Sequence, residues 1–221
     1  MQKREWPRLP RAKKRSERLE KSDIKKELKS FYQPSAKAFS IVDVPVMRFV
    51  GVEGQGAPEG AAYTHAAQWL SSVVYPMKFI AKKKYGKDFV APPLEGLWWA
   101  DDRGDFTSGK RDNWKWRMML AVPDWADEAM FEEAVAKATK KLGDVPESLK
   151  LKPFHEGLSV QILHIGPYAD EAPVIARMHE EFMPANGLKP RGVHHEIYLS
   201  DSRRTPLEKL KTVLRQPVEA A

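Results

Sequence analysis

The chain contains no cysteine in 221 residues. Disulfides, thiolate metal sites and a cysteine nucleophile are thereby excluded. No apolar run approaches the length of a membrane span, and the basic N-terminus leads into no signal-type apolar segment. A cytoplasmic protein with no membrane partner is expected. The spacings of several enzyme classes are missing too. His-Glu pairs occur at His155-Glu156, His179-Glu180 and His195-Glu196, but Ser159, Met183 and Leu199 stand where a zincin needs its second histidine. There is no G-x-S-x-G elbow and no G-x-x-x-x-G-K-[ST] loop, and "GVEGQG" lacks the dinucleotide-fingerprint spacing. No metal site and no cofactor are expected.

Charge is scarce where it would matter for nucleic-acid binding. The formal net charge is +7, but residues 1–30 hold 12 Lys/Arg against 5 Asp/Glu, and the rest of the chain holds 25 of each. The basicity belongs to a leader, not to the body. Residues 1–22 are expected to form a basic, mobile arm whose contacts with polyanions are weak and salt-sensitive, without specific nucleic-acid recognition. Residues 23–221 are expected to form a single domain.

Within that domain the periodicities change from segment to segment. A cap at Ser22 or Asp23 opens a short helix in "SDIKKELKSFY", and "FSIVDVPVMRFVGVEGQG" reads as a strand ending in glycines. Tyr63, Ala66, Ala67, Leu70, Val73, Val74, Met77 and Ile80 recur at helical spacing, which predicts a helix over about 61–85 that Pro76 should kink or break. "PPLEGLWWAD" and "NWKWRMMLAVP" read as two strands, followed by a helix over about 127–142 that stops at Gly143. Then come a strand in "GLSVQILHIGPY", a helix in "DEAPVIARMHEEFM" capped by Asp170, and a strand in "VHHEIYLSD". Last, "TPLEKLKTVLR" carries the capping-box signature of a helix start.

Strand, glycine turn, helix and strand thus occur twice, over about 39–123 and about 150–215. This order predicts an α+β fold of tandem pseudo-symmetric strand–helix–strand repeats, with antiparallel sheets and a ligand groove between the halves. Overlaying the repeats sets "LEGLWWAD" on "HHEIYLSD", so Trp98 matches Tyr198 and Gly96 matches Glu196. Alternation along the last strand puts His195 and Ile197 on the core face and His194, Glu196 and Tyr198 on the other. A carboxylate in such a strand needs a partner or a purpose. An ion pair to Arg117 is the structural explanation. The functional one notes that glycine at position 96 leaves open volume beside Glu196, among aromatic faces suited to a planar or cationic ligand. Four of the seven tryptophans crowd the first-repeat strands; Trp98 and Trp116 are candidate ligand walls, and Trp99, sharing a face with Leu97, is a core residue.

The motifs "DVPVMRFVGVEGQGAPEG", "PPLEGLWW", "WKWRMMLAVP", "GLSVQILHIGPYADEAP" and "HHEIYLSDSRRTPLEKLKTVLRQPV" resemble the GyrI-like small-molecule-binding superfamily, in particular its stand-alone bacterial branch. The resemblance covers about residues 22–218. It implies a tandem α+β fold with a groove for planar hydrophobic or cationic xenobiotics, and a ligand-contacting glutamate at Glu196. The Trp-rich strands are similar to those of cyclopropanoid cyclopropyl hydrolases, which open DNA-alkylating compounds of the yatakemycin and CC-1065 type with an aromatic cage. This implies that Glu196 is catalytic and that Trp98, Trp116, Tyr168 and Tyr198 bind ligand. Other relatives only bind or sequester drugs or protect gyrase, and that is the alternative. A regulator's role is not expected, because too few residues precede Phe39 for a helix-turn-helix reader.

Overall fold

The computed structural model describes residues 21–102 and 104–221. The basic arm expected over residues 1–22 lies outside the described residues, apart from Lys21–Ser22, which pair in parallel with Asp88–Phe89. Six strands make the body: β1 (Ser40–Gln55), β2 (Leu94–Trp99), β3 (Lys115–Val122), β4 (Lys150–Ile165), β5 (His194–Tyr198) and β6 (Lys211–Ala220). They hydrogen-bond in the order β1-β3-β2-β5-β6-β4, every pair antiparallel, and β4 returns to pair with β1. The sheet is therefore a closed barrel, which leaves these six strands no open edge. A three-residue strand, Leu188–Pro190, extends the far end of β6.

Alternation along each strand sorts side chains between the interior and the outer surface. Inside lie Phe49, Leu97, Met119, Ile197 and Val213. The mouth is closed by the helical turns Ile24–Glu27 and Lys29–Tyr32, with Tyr32 buried among these residues. Outside, α1 (Ala61–Ile80) and α2 (Glu128–Leu142) bury Trp69, Leu70, Val73 and Met130 on the face of β1, β3 and β2. The second repeat sets α3 (Ala172–Arg177), continued by the π-helical turn Met178–Phe182, so that Met178 and Met183 pack on Val160, Ile162 and Leu214. Asp127 caps α2 by accepting from the Met130 N–H at 2.9 Å, and Gly143 ends it at φ 82°, a conformation that favours glycine.

The two repeats meet at the β2–β5 ladder. Leu94 lies opposite Tyr198, Gly96 opposite Glu196 and Trp98 opposite His194, so the pseudo-two-fold axis passes through the Gly96–Glu196 pair. The fold is the tandem α+β arrangement that the repeated order of elements implies. Three local expectations are corrected. "TPLEKLKTVLR" is not a helix: one 3₁₀ turn, Leu207–Lys209, leads into β6. The run from Thr212 to Val218 is buried without interruption, as in a strand covered on both sides, and its pairing with β4 and β5 outweighs the capping signature. Pro76 does not break α1, which continues to Ile80 before passing into a π-helical turn, Ala81–Tyr85. Asp170 does not cap α3: it belongs to the 3₁₀ turn Tyr168–Asp170, and Glu171 holds the cap position.

The barrel interior also contains charge. Glu156 accepts from Arg215 at 2.8 Å and meets His195 Nδ1 at 2.9 Å, while His195 Nε2 lies 3.1 Å from Glu95. Tyr32 donates to Glu95 at 2.7 Å, and Arg215 reaches the Phe31 carbonyl at 2.6 Å, tying the N-terminal turns to the cluster. Every one of these four charged residues is at most 2% exposed. Burial alone would push Glu156 up, but His195 and Arg215 overcome it and hold the carboxyl at about 2. Burial likewise opposes the His195 charge, yet Glu156 and Glu95 lift the imidazole to about 9. Two acids and two bases neutralise one another inside an apolar shell.

Below the ordinary histidine value of 6.5 the His195 contribution to stability is complete, and it is lost as pH rises toward about 9. The Glu156 contribution is complete above 4.5 and is lost as pH falls toward about 2. Urea unfolding is therefore expected to find the cluster's full contribution between pH 4.5 and 6.5. Arg215→Met, which leaves Glu156 with less compensation, should cost about 3–5 kcal/mol at pH 5.5.

Candidate functional site

The outward faces of β2 and β5 floor a cleft of about 1790 Å³, open to solvent, with α1 on one side and α3 with its π-helical turn on the other. It therefore straddles the two repeats. The volume exceeds the roughly 300–1,000 Å³ of ordinary ligand pockets, so a ligand of several fused rings fits. Three side chains on the floor form a directed chain. The Trp98 indole N–H donates to the Tyr198 oxygen at 2.9 Å, and the Tyr198 hydroxyl donates to Glu196 Oε2 at 2.7 Å. The other carboxylate oxygen of Glu196 lies 3.6 Å from His194 Nε2. Burial, followed by the neighbouring Glu196 charge, raises the Tyr198 phenol well above its ordinary value, so Tyr198 stays a donor. Arg117 is not the partner of Glu196: its guanidinium pairs with Glu53 at 2.9 Å.

The aromatic wall is ordered in depth. Tyr63 of α1 stacks on Trp98 at 6.1 Å and 18° between ring planes, and Trp114 meets Trp98 edge-on at 6.0 Å. Tyr168 stands at the rim, half exposed, and meets Tyr198 edge-on at 5.7 Å. Trp98, Trp114, Tyr63, Tyr168, Glu196 and Tyr198 all line the cleft. Trp116 stands one layer behind: it is buried, lies edge-on to Tyr63 at 5.6 Å, and donates to the Gly56 carbonyl at 3.1 Å. It fits there because its cross-strand neighbour is Gly54, where a Cβ would come within 2.2 Å of the Trp116 ring. Trp99, expected in the core, is half-buried: it packs against the residues around Leu97 and also lines the cleft.

The open volume expected beside Glu196 at Gly96 is filled. A Cβ at position 96 would stand 2.8 Å from Trp98 Nε1 and 3.2 Å from the Met118 thioether. Glycine is required there because the indole lies across the strand to reach Tyr198.

Glu171, which the sequence reading left out, is the second acid of the cleft. It is 4% exposed, its Oε1 has no hydrogen-bond partner, and it lines the same cavity as Glu196. Although it holds the cap position of α3, its side chain makes no capping hydrogen bond. Burial, and then the Glu196 charge, push its carboxyl up to about 9. The Glu171 carboxyl therefore keeps its proton at neutral pH, while Glu196 beside it accepts from a phenol. Among the described residues no three His, Asp or Glu side chains are placed to hold a metal ion, and no helix is long and apolar enough to cross a membrane.

A two-repeat domain whose shared cleft is walled by aromatics is a small-molecule receptor in architecture. The sequence matches the GyrI-like small molecule binding domain over residues 37–219, and the chain belongs to that family. An uncharacterized conserved protein from Listeria innocua is 41% identical, with a TM-score of 0.83 over 90% of this chain and all of that one. A hydrolase from the same organism is 40% identical, with a TM-score of 0.81 over the same shares. The EcmrR C-terminal domain shares the fold at 12% identity, with a TM-score of 0.52 over 83% of this chain and 98% of its own. No curated protein matches the sequence.

Two outcomes follow from this geometry. Gly96→Ala should drive the indole off Tyr198, costing roughly 1–3 kcal/mol as an overpacked site does and shifting the tryptophan emission. Glu171→Gln should stabilise the fold. The native carboxyl keeps its proton up to about 9 while the unfolded one loses it near 4.5, so native stability declines across that interval. Thermal melts of the Gln variant should therefore gain more at pH 8 than at pH 5.

Proposed function

We propose that the cleft captures planar aromatic xenobiotics and hydrolyses those that carry a strained cyclopropane conjugated to a dienone, the cyclopropanoid class of DNA-alkylating compounds. The observation that carries this reading is the Trp98–Tyr198–Glu196 chain, which leaves a carboxylate fixed by one oxygen at the floor of an aromatic cleft. Support comes also from the 40% identity to a protein described as a hydrolase.

In the proposed reaction the flat ligand lies against Trp98, Tyr168 and Tyr198, with its ring carbon facing Glu196. Glu196 takes a proton from water as the water oxygen bonds to the cyclopropane methylene. The strained C–C bond breaks, and its electron pair moves through the dienone to the carbonyl oxygen. The resulting phenolate recovers the proton from Glu196, so the net reaction is addition of one water, and the gain of aromaticity drives it. General-base help of this kind is worth roughly 10²–10⁴-fold. Trp116 supports Tyr63 from behind and touches no ligand in this arrangement.

The test is incubation with a cyclopropanoid such as yatakemycin, followed by mass spectrometry for a water-added product. Glu196→Gln should retain the fold and lower turnover by roughly 10²–10⁴-fold, and Trp98→Ala should weaken binding. Binding without any water-added product would establish the sequestering alternative instead. Full turnover by Glu196→Gln would remove the carboxylate from the chemistry.

A further inference from the structure

We propose that the protein docks on an anionic phospholipid bilayer through the face of α1 that borders the cleft, with the cleft mouth turned toward the lipid. Such docking is peripheral and needs no spanning segment.

The face is one stripe of α1 and of the π-helical turn that continues it. Tyr75, Phe79, Lys82 and Lys83 recur at helical spacing, and all four are exposed. Phe79 is 64% exposed and Tyr75 50%, while the opposite stripe, Val73, Met77 and Ile80, lies in the core. Two aromatic rings one turn apart, followed a turn later by two lysines, make an apolar and basic face. That combination lies in the headgroup layer of a bilayer, rings inserted and ammonium groups at the lipid phosphates.

Charge selects the partner. Between Glu59 and Asp88 the sequence has five lysines and no acidic residue. Lys78 is taken by Asp88, Lys84 by Glu133, and Lys87 stands 5.2 Å over the Trp125 ring. Among the described residues Lys82 and Lys83 form no ion pair, so both charges are open to an anion from outside. Residues 1–20 add eight Lys/Arg against three Asp/Glu, and they join the described chain at Lys21–Ser22. That pair bonds to Asp88–Phe89, so the basic leader is tethered where the lysine run ends. Lysines near an anionic leaflet act together, each adding to the attraction. A nucleic-acid duplex would use the same charges, but the Phe79 ring has nothing to offer a phosphate–sugar groove.

Position ties the face to the cleft. Tyr75 lines the cleft from α1, and Phe79 stands one turn beyond it. Arg203, in the turn after β5, lines the cleft too and lies within electrostatic reach of Tyr75. The docked face therefore borders the opening, and an apolar molecule dissolved in the lipid would meet the cleft without crossing bulk water. That consequence rests on the planar-ligand reading; the docking itself does not.

The test is flotation of the full chain with vesicles of phosphatidylcholine alone and of phosphatidylcholine mixed with phosphatidylglycerol. The chain should float with the mixed vesicles and not with the neutral ones. Binding should fall as salt rises toward 1 M, where the Debye length is about 3 Å. Lys82→Gln and Lys83→Gln should each weaken it about fivefold. Phe79→Ser removes no charge and should weaken it about tenfold, with the thermal melt unchanged because the ring is at the surface. Binding that Phe79→Ser leaves intact would assign the effect to charge alone and overturn the proposal, as would failure to float with either vesicle. Preference for a random DNA duplex over the mixed vesicles would make the face a nucleic-acid surface and overturn it as well. No cleft ligand enters these measurements, so a negative result leaves the planar-ligand reading standing.

Discussion

Four charges enclosed in an apolar barrel hold the molecule in register. Glu156 lies between His195 and Arg215, and His195 reaches on to Glu95, so the cluster draws on β4, β5, β6 and β2 at once. None of these groups tolerates exposure of its partner to an uncompensated interior. A strand slip of one residue would turn every side chain to the opposite face. On β5 it would carry His195 out of the barrel and Glu196 into it. The position of the acid in the cleft is thus fixed by the base beside it on the other face of the same strand. Tyr32 and the Phe31 carbonyl bring the N-terminal turns into the same arrangement, so closure of the barrel mouth and alignment of the cleft floor share one set of contacts.

The cleft works by a division between the repeats. The first contributes Tyr63, stacked on Trp98, and Trp114, edge-on to it, with Gly96 yielding space to the Trp98 indole. The second contributes both acids, Glu171 and Glu196, together with the phenols of Tyr168 and Tyr198. The two sets meet at the β2–β5 ladder.

Much of this was legible in the sequence because it is written in local alternation. The faces shared by His194, Glu196 and Tyr198 and by Leu97 and Trp99 follow from period-two arithmetic, and the match of Trp98 with Tyr198 follows from overlaying the repeats. What was not legible depends on distance along the chain or on competition between neighbours. The contacts of Glu156 join residues 39 and 59 positions apart, and no spacing rule announces them. Trp116 shares its alternation with true wall residues, and only the Gly54 facing it tells that it lies behind them. Glu171 was hidden by Asp170, an equally good cap residue next to it. The signal that separates them is Pro173, whose preference for the first turn places the cap at Glu171. The final segment satisfied a capping box yet became a strand, since "TVLRQPV" is apolar enough for either and only the gap between β4 and β5 decides.

The glycine–glutamate pair on the pseudo-dyad has a consequence for the orientation of anything that enters. In a symmetric trough a flat molecule would have two equivalent poses, related by turning it end over end. With Gly96 on one side of the axis and Glu196 on the other, those poses differ by the whole interaction with a carboxylate. The trough therefore distinguishes the head of a ligand from its tail.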